Sequence, residues 1–143
     1  MQKTGVASAV ICAGLVGALS CTARAADTPR LYQMTTETLM PHLEENLRYA
    51  VRKEQRCIST HDLSALFWML GEVSLQDCTL VKSTEEADSA LYLLKCNGGH
   101  GTTGDARWTL GPDFITGTLK VRLGGKNMTF YQRITARPIG HCS

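Results

Sequence analysis

The amino-acid sequence predicts a mainly β protein: an antiparallel meander forming a curved sheet or open barrel, with one short α-helix. Three observations predict it. Strand-length runs of β-prone residues follow one another through the second half of the chain, at 78–96, 105–110, 115–123 and 128–137. Turn-forming clusters separate them, notably Gly111-Pro112-Asp113-Phe114 and Gly124-Gly125-Lys126-Asn127. One segment, 59–70, instead repeats apolar residues at helical spacing.

The first element is an address. Lys3 precedes an apolar run over 6–19 that ends in small residues, with Ala23 and Ala25 framing Arg24. A basic start, a short apolar core and an A-x-A site predict a signal peptide over 1–25. The run is shorter than the roughly 20 apolar residues that a membrane span needs, and no longer run follows. Cys21 offers a rival reading as a lipidated anchor. Ala18, Leu19 and Ser20 precede it, however, and their order fits lipidation less well than Ala23 and Ala25 fit cleavage. The expected mature chain, 26–143, is a single disulfide-bonded domain. Losing Lys3 and Arg24 leaves equal numbers of basic and acidic residues, so nothing in the overall charge suggests a nucleic-acid partner.

Residues 31–40, with Tyr32, alternating polarity and several threonines, read as a strand that Pro41 stops. Residues 46–57 place Leu47, Tyr49 and Val51 on one face at period two; a strand is favoured over a helix there. The expected helix comes next. Ser59 or Thr60 can cap it, Asp62 sits in its first turn, Leu63, Leu66, Phe67 and Leu70 form its stripe, and Gly71 ends it. Phe67, Trp68 and Met69 are expected to pack on the sheet.

The meander carries its own register. Folding 78–96 about its polar turn sets Cys78 opposite Cys96 and Leu80 opposite Leu94. Pairing Leu123 with Met128 sets Val121 beside Phe130 and Gly117 beside Ile134, and pairing Leu110 with Ile115 sets Trp108 over Gly117. Ala106, Trp108, Leu119, Val121, Leu123, Phe130 and Ile134 then share the buried face. On the opposite face stand Arg107, Lys120, Arg122, Arg133 and Arg137, with Asp105 the only acid on those three strands. This is the candidate ligand-binding surface, suited to anionic lipid, acidic glycan or an acidic envelope protein.

With Cys12 and Cys21 in the leader, four cysteines remain, an even number suited to an oxidising compartment. The expected bridges are Cys78–Cys96, closing a hairpin, and Cys57–Cys142, tying the start of the helical segment to the C-terminus. Zinc is disfavoured because no C-x-x-C or H-x-x-x-H spacing occurs. No cofactor is expected. The glycine-rich 96–105 lacks the lysine and the following helix of a phosphate loop. His42, His61, His100 and His141 are scattered. Ser59, Ser64, Asp62 and His61 supply the residue types of a hydrolase, but no nucleophile elbow holds them.

Several of these features together resemble the exported bacterial family catalogued as domain of unknown function 3617. They are "RLYQMT" at 30–35, Cys57 before a Ser/Thr-Asp helix start, two cysteines flanking a hairpin that closes in Cys96-Asn97-Gly98, "DFITG" at 113–117 and "RPIGHC" at 137–142. Arg30, Tyr32 and Gln33 depart from the Gly, Trp and Glu that such proteins often carry there. The resemblance implies an exported, disulfide-bonded β protein and supplies no catalytic residues. The function expected is that of a periplasmic, non-catalytic binding or envelope-associated protein, with an envelope hydrolase as the alternative.

Overall fold

A computed structural model describes residues 28–42, 49–98, 100–125 and 128–143. The expected signal peptide, Cys21, Leu47, Lys126 and Asn127 lie outside the described residues.

Seven strands form one open antiparallel sheet: β1 (Arg30–Leu39), β2 (Tyr49–Ile58), β3 (Cys78–Glu85), β4 (Ser89–Cys96), β5 (Thr103–Leu110), β6 (Ile115–Leu123) and β7 (Met128–His141). From β3 to β7 each strand pairs with the next, which is the meander expected. The sheet does not stop there. β1 adds to the far side of β7 and β2 lies outside β1, so the order is β2-β1-β7-β6-β5-β4-β3. The first strand among the described residues therefore sits beside the last. β2 and β3 are the two edges, and the segment between them must cross the sheet.

The registers follow the alternation of the sequence. Cys78 opposes Cys96 and Leu80 opposes Leu94, with an irregularity between Lys82 and Thr84. Trp108 opposes Gly117, and Val121 opposes Phe130. Gly117 faces Ile134 from the other side. A Cβ at Gly117 would lie 2.5 Å from the Trp108 ring, so the glycine is what lets the indole lie flat on the sheet. Phe67 packs against that indole at a tilt of 47°, with the ring centroids 5.1 Å apart.

The crossing segment is where the expectation fails. Residues 59–70 form no α-helix. Three short 3-10 turns take its place, at Ser64–Leu66, Trp68–Gly71 and Val73–Leu75. The capping groups are used in turns of their own: the Asp62 carboxylate accepts from the Ser64 backbone N–H and from its hydroxyl, at 3.1 and 2.6 Å, and Ser59 Oγ accepts from the His61 N–H. Extended backbone at Phe67 and Glu72 then separates the turns. The packing explains this. Leu63, Leu66, Phe67, Met69 and Leu75 are all buried, and no single helical stripe holds that set. Breaking the helix turns each of them toward the sheet.

This segment covers one face of the sheet, and the core lies between them. Met34, Ala106, Trp108, Leu119, Val121, Ile134 and Ala136 are almost fully buried there. So is Gln132, whose amide donates to Thr38 Oγ1 at 2.9 Å and whose carbonyl accepts from the Met69 N–H at 3.4 Å. This one polar side chain joins β7, β1 and the crossing segment, with both its amide nitrogen and its amide oxygen hydrogen-bonded.

Candidate functional site

Strand alternation sends every second residue to the face away from the core. The registers arrange that outer face in cross-strand rows. Arg107, Thr118, Arg133, Glu37 and Val51 stand side by side on β5, β6, β7, β1 and β2. In the next row stand Asp105, Lys120, Tyr131, Leu39 and Tyr49. Together these two rows, Val51 apart, line a hollow of about 680 Å³. A third row, on the other side of the Arg107 row, carries Ser89, Thr109, Thr116, Thr135, Thr35 and Lys53.

All five basic residues expected on this face are exposed there. They do not form one site. Arg107, Lys120 and Arg133 line the hollow. Arg122 lies in a separate cleft with His100 and Thr103. Arg137 is one row further along β7 than Thr135, opposite Gln33, and lines neither.

The charges within the hollow are mixed. Arg107 Nε pairs with Asp105 Oδ2 at 3.1 Å along the same strand, an exposed ion pair of small energetic value. The Tyr49 hydroxyl donates to Glu37 Oε1. That hydrogen bond raises the Tyr49 phenol above its ordinary pKa, helped by desolvation and by the charge of Glu37, while Arg133 acts the other way. The Lys120 ammonium stands over the Tyr131 ring, 5.9 Å from its centroid. Among the described residues, neither Lys120 nor Arg133 has an ion-pair partner. The two are diagonal neighbours, because Lys120 opposes Tyr131 and Arg133 is the next outward residue on β7.

Glu37, Leu39 and Tyr49 are the site residues that reasoning from the sequence missed. All three come from β1 and β2, and they reach the hollow only because β1 pairs with β7. The one available signal was the alternation in "MTTETL", which sends Thr35, Glu37 and Leu39 to the face opposite Met34, Thr36 and Thr38.

The cysteines stand as expected. Cys78 and Cys96 are bonded, with their Cα atoms 4.0 Å apart, as are Cys57 and Cys142 at 5.8 Å. The second bridge reaches across the start of β1, which lies between β2 and β7. Both bridges are consistent with a protein outside the cytoplasm. No helix among the described residues is long and apolar enough to cross a membrane. Among the described residues no cluster of three or more His, Cys, Asp or Glu side chains is placed to hold a metal ion.

Of the residues of hydrolase type, Ser64 donates its hydroxyl hydrogen to the Asp62 carboxylate. These hydrogen bonds hold the Asp62 carboxyl below its ordinary pKa, with the side-chain bond from Ser64 the largest cause. Lys82 Nζ meets the backbone carbonyl of His61, not its ring. The Ser64–Asp62 bonds close a local turn.

No family model, no curated protein and no solved structure matches this chain.

Proposed function

We propose that this chain is an exported, periplasmic, non-catalytic binding protein of the cell envelope, of the kind implied by its resemblance to the domain of unknown function 3617 family. Its ligand is anionic and occupies the hollow of the outer face. The observation that carries the reading is the pair Lys120 and Arg133. Both are cationic, both line a hollow within the size range of small-ligand sites, and neither is neutralised by an ion pair among the described residues. Asp105 and Glu37 oppose Lys120 and Arg133 across their strand pairs without closing an ion pair to either, so the three cations and two carboxylates of the hollow leave an excess of positive charge that an anion can meet.

A bound anion is the direct test. Two-dimensional amide NMR with tripolyphosphate as probe is expected to shift the signals of 118–121 and 130–134 in a saturable manner. The Lys120→Glu/Arg133→Glu variant loses that response while keeping its fold. Uniform weak shifts across the surface, or equal response from both proteins, overturn the reading. Intact-mass measurement of the exported protein tests the address: a chain starting at Ala26 is expected, and a diacylglyceryl-modified chain starting at Cys21 overturns it.

A further inference from the structure

We infer that the anion is an acidic saccharide, lying across the strands with its carboxylate between Lys120 and Arg133; this rests on the anionic-ligand reading above. Three observations point to it. The first is the sign of the neighbours. Glu37 and Asp105 line the same hollow as the cations. An anionic bilayer pressed against this face would bring both carboxylates against like charge, and a flat surface would not fill a hollow. A single molecule with one acid group and many hydroxyls uses both signs: its carboxylate meets Lys120 and Arg133, and its hydroxyls donate to Glu37 and Asp105.

The second observation is aromatic. Tyr131 and Tyr49 share a row, with only Leu39 between them, and are 39% and 55% exposed. Flat apolar rings with a polar tip suit the C–H faces of sugars, and they lie at either side of the Leu39 side chain. The third is spacing. Neighbouring strands stand about 4.8 Å apart, close to the length of one pyranose unit. A saccharide laid perpendicular to the strands therefore meets a fresh side chain at each unit. Alongside the charged row the sheet offers hydroxyls in strand order, Thr109, Thr116, Thr135 and Thr35. Each can donate to and accept from a sugar hydroxyl.

The test is calorimetric titration of the full mature protein with trigalacturonate, with its neutral counterpart α-1,4-galactotriose, and with phosphatidylglycerol vesicles. Binding of trigalacturonate alone is expected. Arg133→Gln should weaken it by about tenfold or more, as loss of a charge-assisted bond to carboxylate would. Tyr131→Ala, which keeps every charge, should weaken it as well; unchanged affinity in that variant removes the saccharide assignment. Arg52→Gln, on β2 and outside the hollow, serves as the control and should bind as wild type. Vesicle binding that is lost in Arg133→Gln, without saccharide binding, overturns the saccharide inference and leaves the anion site standing. Equal binding of trigalacturonate and galactotriose removes the role of the carboxylate. If tripolyphosphate also fails to bind, the anion site itself falls.

Discussion

Gly117 is where a single missing carbon has the largest consequence. Its place opposite Trp108 leaves room for an indole that is 1% exposed and packed against the tilted ring of Phe67. Gly117→Ala places a methyl group inside the ring's contact distance. The indole must tilt, and the packing against Phe67 goes with it. Overpacking of this kind costs about 1–3 kcal/mol, to be read as a lower urea midpoint with an unchanged slope. Gly124 is constrained differently, since a Cβ there would meet the backbone of His100. A titration belongs here too. Asp62 has a lowered folded-state pKa because Ser64 donates to its ionised carboxylate. Its contribution is therefore present above the unfolded carboxyl pKa and is lost as pH falls through the lower, folded value. Comparing wild type with Asp62→Asn in urea melts at neutral and strongly acidic pH should show a difference that narrows toward acid. A constant difference would mean that the turn is held by something other than the charge.

Among the elements, the two disulfides do unequal work. Cys78–Cys96 closes 18 residues within one hairpin, and Cys57–Cys142 closes 85. In the chain-entropy model the first is worth about 3 kcal/mol and the second about 4.5 kcal/mol. Cys142→Ser should therefore lower stability more than Cys78→Ser, measured by calorimetry on the two variants. The reverse order would show that strand pairing already holds the β2–β7 end together. The crossing segment is the other structural dependency. It lacks the backbone ladder of a helix, so its placement rests on side chains: Phe67, Leu63 and Leu75 buried at the sheet, and the Met69 N–H held by Gln132. Phe67→Ala should cost about 3–5 kcal/mol. Protease susceptibility should then rise first within 59–77, because no regular ladder remains to hold that segment in place.

The sheet as a whole depends on one pairing between strands far apart in sequence. β1 and β7 are in contact along almost the full length of β1, yet they lie at opposite ends of the described chain. Such long-range pairing must be completed before the core face of β1, with Tyr32 and Met34, can be buried. Folding is expected in the millisecond-to-second range typical of non-local β topologies, and stopped-flow fluorescence of Trp108 and Trp68 can follow it. Deleting 128–143 removes the strand between β1 and β6 and should abolish cooperative unfolding altogether. A truncated chain that still melted in one sharp transition would show that β3 to β6 and the crossing segment form a core without it.

Much of this architecture was legible residue by residue. Hairpins joined by short turns have their register set by turn position and by inward–outward alternation, so the pairings of Cys78 with Cys96, Trp108 with Gly117 and Val121 with Phe130 could be read locally. The shared face of the five cations followed from the same alternation. Two things depended on the assembled fold. Residues 59–70 carry a helical pattern and helix-capping residues, but burying Phe67, Met69 and Leu75 against one sheet face outweighed a modest local propensity. The pairing of β1 with β7 has no local signature, because no short turn joins the two strands. That pairing brings Glu37 and Tyr49 up to Lys120 and Arg133, and it makes a mixed-charge hollow out of what alternation alone presents as a basic face.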